Sequence, residues 1–202
     1  MDLNISAAIC TALSENSWDK GVLVVMNNEV NAASEVTKTN TLSLDTFKSP
    51  DFGPLGIVDN DEVIYYRSKL ERQNFNVSQI EEKVGLIKAV AGQDSNILDF
   101  YIDSNYKGLV IEALGRGNLP PEMLPGVQRA IENNIPIVIV SRCPKGRVLY
   151  TYGYSGGGKN LRDLGAIFGG NLPGQKARIK LMVLLKVTSN LNELRNLFES
   201  NL

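Results

Sequence analysis

Near the start of the chain Ile5, Ala8, Ile9, Ala12 and Leu13 fall at i, i+3, i+4, i+7 and i+8, which makes one apolar stripe on a helix. Gly21 then introduces the unbroken apolar run Val22-Leu23-Val24-Val25-Met26. Runs of that kind belong to strands covered on both faces, so a strand of a parallel sheet is expected there. The period changes to two over 36–44, where Val36, Leu42 and Leu44 alternate with Thr37, Thr39, Thr41 and Ser43. Residues 37–44 therefore read as a strand. Ser49-Pro50-Asp51-Phe52-Gly53-Pro54-Leu55-Gly56 is dense in turn formers and reads as a loop.

Charged and polar residues dominate 59–80, with Val63-Ile64-Tyr65-Tyr66 the one clear strand candidate, and this segment is expected to be a linker. Beyond it the pattern is more regular. Strands are predicted over 84–90, at Gly108-Leu109-Val110-Ile111 and over 135–140, and a short helix over 96–106. Pro120-Pro121 opens a helix running to Ile131, since proline is tolerated in the first turn. After a loop rich in glycine and tyrosine, Ala177, Leu181, Leu184 and Leu185 share one helical face, and Leu191, Leu194, Leu197 and Phe198 another. Strand alternating with helix over about 120 residues argues for the α/β class, with parallel sheets and helices on their faces.

Composition narrows the function classes. The chain has 202 residues, 43% hydrophobic and 21% charged, enough to bury a working core. A formal charge of -1 gives no electrostatic reason to bind nucleic acid or an anionic membrane. No apolar run of about 18 residues occurs and no secretory leader is evident, so the cytoplasm is the expected compartment. Cys10 and Cys143 are far apart with no CxxC, as expected of reduced thiols. The chain contains no histidine. That removes any Ser/His/Asp triad and any histidine-containing zinc site, and leaves catalysis to Lys, Asp/Glu, Thr/Ser, Tyr or Cys.

Two glycine motifs fall short of nucleotide fingerprints. Gly153-Tyr154-Ser155-Gly156-Gly157-Gly158-Lys159 has the glycine and lysine positions of a phosphate-binding loop, but Asn160 replaces the hydroxyl that would hold magnesium. A mobile glycine loop is the expectation. Gly115-Arg116-Gly117-Asn118-Leu119-Pro120 has proline where a dinucleotide motif needs glycine or alanine. A glycine turn at the carboxyl end of a strand remains, which is where open α/β sheets bind ligands. Asn118 there either hydrogen-bonds a polar substrate or caps the helix that follows.

Lys38 sits among threonines in Glu35-Val36-Thr37-Lys38-Thr39-Asn40. As a strand residue it would share a face with Val36, Asn40 and Leu42 and be partly buried. Two readings stay open: a lysine with a carboxylate partner that helps deprotonate or orient a hydroxyl nucleophile, or a lysine snorkelling at a strand edge.

Taken in order, several segments resemble the bacterial-type L-asparaginases of the asparaginase/glutaminase family. They are Gly21-Val22-Leu23-Val24-Val25-Met26-Asn27, Val36-Thr37-Lys38-Thr39-Asn40-Thr41, Phe47-Lys48-Ser49 with Gly53-Pro54-Leu55-Gly56, Gly115-Arg116-Gly117-Asn118, Ser141-Arg142 and Gln175-Lys176-Ala177-Arg178-Ile179-Lys180-Leu181. The resemblance implies an incomplete N-terminal asparaginase-like domain over 1–58, the linker over 59–80, and a smaller Rossmann-like C-terminal α/β domain over 81–202. It implies hydrolysis of L-asparagine to L-aspartate and ammonia in the complete enzyme, without a metal or organic cofactor, in a homo-oligomer.

By the same resemblance, Lys38 corresponds to the lysine that works with a Thr-Asp pair, and Asn118 to an asparagine near an active site. An acidic residue would be sought where this chain has Tyr154-Ser155-Gly156. The family's Gly-Gly-Thr-Ile-Ala-like and Gly-Thr-Asp-Thr-like strings, which hold both threonines and the aspartate, do not occur here. The expectation is thus a truncated form, inactive alone. The alternative is a non-catalytic fragment or interaction module that assembles with a separate N-terminal piece or with itself. A truncated first sheet would have an unpaired edge and partly bare faces.

Overall fold

The structure, a computed structural model, describes residues 2–69 and 72–200. The chain divides into two compact units, Met1–Gln73 and Asn74–Leu202.

In the first unit helix α1 (Asp2–Leu13) turns Ala7 and Thr11 inward. Ala7 packs with Val30 and Val58, and the buried Thr11 hydroxyl donates to the Ala7 carbonyl at 2.8 Å. The apolar stripe read from the sequence is on the other side: Ile5, Ala8, Ile9, Ala12 and Leu13 are all exposed. Small side chains let the helix lie close on a narrow sheet, and no second layer within the described residues covers the large ones.

The run predicted as a parallel strand is instead one arm of an antiparallel hairpin, β1 (Leu23–Met26) with β2 (Glu29–Ala32). Its turn is Asn27-Asn28, with φ of 51° and 59°. Two successive positive φ angles give the mirror-image turn whose twist matches the strands it joins, and asparagine tolerates that region.

Next comes a two-stranded ribbon, β3 (Thr37–Lys38) with β4 (Phe47–Lys48). A second hairpin joins β5 (Gly56–Asp59) to β6 (Glu62–Tyr65) through Asn60-Asp61, again with positive φ. The sheet order is β1-β2-β5-β6, antiparallel throughout, with β1 at one edge. Strand β6 covers the candidate Val63-Ile64-Tyr65 and lies within the segment read as a linker.

The second unit is the parallel α/β element that the alternation predicts. It runs β7 (Val84–Lys88), α2 (Asn96–Asp103), β8 (Gly108–Ala113), α3 (Leu124–Glu132), β9 (Ile137–Ser141), α4 (Gly158–Leu164), β10 (Ile167–Phe168), α5 (Gly174–Val187) and α6 (Leu191–Glu199). The strands pair in parallel in the order β10-β9-β8-β7. Because the order advances one way, crossovers of one hand put α2, α3 and α4 on the same face, and α5 and α6 are left to cover the other.

Strand periodicity sorts the core by side-chain type. Leu109, Ile111, Ile137 and Ile139 face Leu98, Ile102, Met123, Val127 and Leu161. Val110, Val138 and Val140 face Ala177, Leu181, Leu184, Leu194 and Phe198. Larger side chains fill one interface and valines the other, and the strand residues on both faces are fully buried. The carboxyl ends of β8 and β9 carry the loops that hold Asn118 and the glycine-rich segment.

Candidate functional site

The two site residues read from the sequence lie in different units, so each surrounding is described by itself. In the first unit, Lys38 pairs with Phe47 across the β3–β4 ribbon, and its ammonium lies 5.5 Å from the Phe47 ring centroid, a cation–π contact. The side chain is exposed, not partly buried as expected. The strand predicted over 37–44 stops at Lys38, because Asn40 and Thr46 convert the following residues into a turn. Asn40 Oδ1 accepts from the N–H groups of Leu42 and Ser43 at 2.8 and 3.0 Å. The buried Thr46 hydroxyl donates to the Asn40 carbonyl at 2.5 Å and accepts from its N–H at 2.8 Å. Side-chain-to-backbone bonds of this kind offer the chain an alternative to a strand ladder.

Among the described residues no carboxylate pairs with Lys38. The carboxylates go to Lys48 instead, which binds Glu29 at 2.7 Å and also Asp45. The hydrogen bonds that Lys48 donates to Asp45 and then to Glu29 raise its pKa, and the Lys48 bond holds the Asp45 carboxyl below its ordinary range. From Glu29 the network continues inward: Asn31 Nδ2 donates to Glu29 at 3.4 Å, and the Ser49 hydroxyl donates to Asn31 Oδ1 at 2.7 Å. Asn31 and Ser49 are both buried. Arg67 fixes the adjoining loop, reaching Glu35 at 2.6 Å, the Pro54 carbonyl at 3.2 Å and the Gly53 carbonyl. Sequence reasoning misses this polar support, although Phe47-Lys48-Ser49 is among the strings that carry the resemblance.

In the second unit, Asn118 closes a tight turn after β8. The Leu114 N–H donates to the Asn118 carbonyl at 2.9 Å and the Asn118 N–H to the Leu114 carbonyl at 3.0 Å. Gly115 and Gly117, with φ of 53° and 110°, supply backbone angles that other residues rarely adopt. The side chain does not cap the helix that follows it. Its Oδ1 accepts from the Gly158 N–H at 3.3 Å, so it stabilises the first turn of α4, forty residues later.

The same contacts explain why the glycine loop offers no phosphate cradle. The Gly156 N–H donates to Asn160 Oδ1 at 3.2 Å, Gly157 to the Tyr154 carbonyl at 2.8 Å, and Lys159 to the Tyr152 carbonyl at 2.9 Å. With Gly158 bonded to Asn118, four successive donors are already used, and a phosphate nest needs them free. Where the resemblance calls for an acidic residue, Tyr154 is exposed with its ring centroid 5.8 Å from that of Tyr152. Among the described residues no group of three or more His, Cys, Asp or Glu gathers to hold a metal, and no helix is long and apolar enough to cross a membrane.

A parallel α/β unit with a glycine turn at a strand's carboxyl end, in one chain with an antiparallel unit bearing a Thr-Lys-Thr ribbon, defines a two-part α/β protein. The family model described as "Asparaginase, N-terminal" matches residues 2–71, and that described as "Glutaminase/Asparaginase C-terminal domain" matches residues 83–198. The chain belongs to the glutaminase/asparaginase family. It is 34% identical over 182 residues to an L-asparaginase of Bacillus licheniformis, covering 90% of this chain and 56% of that protein. It is 33% identical over 205 residues to a probable periplasmic L-asparaginase of Haemophilus influenzae, covering 98% and 57%. A glutamyl-tRNA(Gln) amidotransferase component of Pyrococcus abyssi is 34% identical over 205 residues, covering 96% and 46%. The chain thus spans about half the length of the curated relatives it matches.

Proposed function

We propose that this chain carries the Lys38-bearing and Asn118-bearing portions of an L-asparaginase-type amidohydrolase. In that reaction a threonine hydroxyl attacks the side-chain amide of L-asparagine, ammonia leaves, and water releases L-aspartate from the acyl-enzyme. Lys38 supports proton transfer to and from the attacking hydroxyl, and Asn118 contacts the bound substrate from the C-terminal domain. No metal or organic cofactor takes part. The 202 residues hold neither threonine string, so the chain alone does not hydrolyse asparagine.

The observation that carries this reading is the ordered match of both family models along one chain. The exposure of the Lys38 side chain on the β3–β4 ribbon supports it, since a proton carrier must be within reach of the hydroxyl it serves. The free thiols Cys10 and Cys143 support a cytoplasmic location. A chimera joining this chain to the segment of a relative that holds both threonine strings tests the reading. It should release ammonia from L-asparagine, and Lys38→Ala should lower kcat by about 10²–10⁴-fold; an active chimera indifferent to Lys38→Ala refutes the role of Lys38.

A second reading, an assembly module that joins a separate N-terminal piece or further copies of itself, is favoured by one observation. The whole apolar stripe of α1 is exposed.

A further inference from the structure

The ribbon that carries Lys38 has two paired residues on each strand, and a two-stranded ribbon by itself is marginally stable in water. Its placement is therefore set by what it is attached to. Val30 of β2 packs with Ala7 of α1 and with Val58 on one face of the sheet, so the neighbouring Glu29 and Asn31 project from the opposite face. The ribbon is fastened there. Lys48 donates to Glu29 Oε1 at 2.7 Å, and the Ser49 hydroxyl donates to Asn31 Oδ1 at 2.7 Å. Residues directly opposed across a ribbon share a face, so Thr37 and Lys48 turn toward Glu29, and Lys38 and Phe47 turn away.

Each residue from Thr46 to Ser49 has its own part in this. The Thr46 carbonyl accepts from the Thr39 N–H at 2.8 Å and from the Thr39 hydroxyl at 2.9 Å, which holds the residue after Lys38. Phe47 lies under the Lys38 ammonium, Lys48 reaches Glu29, and Ser49 reaches Asn31. Whatever displaces 46–49 displaces Lys38 with it.

The two fastenings are unequal. The Lys48 and Glu29 side chains are 33% and 21% exposed, and a partly solvated ion pair on two long side chains is a loose tether. Asn31 and Ser49 are 1% and 4% exposed. A buried amide and hydroxyl have no water to turn to, so leaving either unpaired costs more than an exposed ion pair returns. Asn31 also joins the two fastenings, because its Nδ2 donates to Glu29 Oε2 at 3.4 Å.

We propose that Asn31 is a positioning residue for Lys38: through Ser49 and Glu29 it fixes where β4 lies on the sheet, and through β4 where the Lys38 ammonium is held. The task given to Lys38 rests on the amidohydrolase reading above; the placement of its ribbon does not.

Residual dipolar couplings of the Thr37, Lys38 and Phe47 N–H groups in the full chain, referred to those of β1, β2, β5 and β6, report how the ribbon lies on its sheet. Asn31→Leu and Ser49→Ala should each change the ribbon's couplings and leave the sheet's unchanged, whereas Ser49→Thr, which keeps the hydroxyl, should retain the wild-type values. In an active chimera the first two variants should lower kcat about 10- to 100-fold with KM within about twofold, the cost of a misplacement near about 1 Å, and Ser49→Thr should keep most of the rate. A contribution to stability alone would lower the unfolding temperature and move neither the couplings nor kcat. Unchanged couplings in a folded Asn31→Leu or Ser49→Ala chain overturn the proposal. So does an unchanged kcat in the chimera, or equal losses in Ser49→Ala and Ser49→Thr. Should Asn31→Leu fail to fold, Ser49→Ala decides by itself. A chimera with no substitution that releases no ammonia refutes the amidohydrolase reading instead, and the couplings still decide whether Asn31 places the ribbon.

Discussion

Lys38 and Lys48 stand on facing strands of one ribbon, yet Glu29 and Asp45 both go to Lys48. One lysine therefore holds the ribbon to its sheet, and the other keeps an unencumbered ammonium over the Phe47 ring. Substitution should separate the two roles. Lys38→Ala is expected to change stability by less than about 0.5 kcal/mol, as at other exposed positions. Lys48→Met should cost about 1 kcal/mol, because it strips Glu29 of its cation while Glu29 stays bound to buried Asn31. Urea unfolding of the two variants measures the difference.

Acid should loosen both units through depressed carboxyls. Asp45 is held below its ordinary range by Lys48, and Glu81 by a hydrogen bond from Lys186, 2.9 Å away, and a further one from the Lys83 backbone. A carboxyl whose folded pKa is lowered adds stability above its unfolded value, and that stability is lost as pH falls through the folded one. The unfolding temperature should therefore drop as pH falls below about 4. Asp45→Asn and Glu81→Gln should each flatten that drop; an unchanged profile in both contradicts the assignment.

Gly156 and Gly56 are expected to resist substitution for different reasons. At Gly156 the backbone has φ of 84° and an added Cβ would fall on the Leu119 carbonyl oxygen, so Gly156→Ala strains the loop beside Asn118. At Gly56 the obstacle is the Ile64 carbonyl of the paired strand. Neither obstacle is the end of a flexible side chain. Each variant should lose about 1–3 kcal/mol in denaturant unfolding.

Asn118 is the residue whose two roles can be told apart. Asn118→Ala removes the acceptor for the Gly158 N–H and should cost about 1 kcal/mol, whereas Asn118→Asp keeps an acceptor at the first turn of α4 and should recover most of that loss. In an active chimera, a substrate contact would show as a raised KM in both variants, even where stability is recovered.

The second unit is the more legible part of the sequence. Its strands are short apolar runs bounded by helical stripes, and Leu109, Ile111, Ile137 and Ile139 fall on one face as a period of two requires. In the first unit, the apolar run at 22–26 points to a parallel strand only because the run alone carries no direction. The direction lies in the adjacent Asn27-Asn28, whose positive φ angles fold the chain back. Residues 37–44 keep a period of two, but Asn40 and Thr46 bond to the backbone and end the strand at Lys38. Asn118 is legible as a residue at a strand end; its bond to Gly158 joins positions forty residues apart, which no local pattern records.

The most direct measurement is ammonia release from L-asparagine by the purified 202-residue chain. No release above the buffer rate is expected, since the strings that hold the family's attacking threonine and its Thr-Asp pair do not occur in these 202 residues. Sustained turnover that disappears in Lys38→Ala would contradict this and would require a nucleophile within the chain itself, with Thr37 and Thr39 the first to replace.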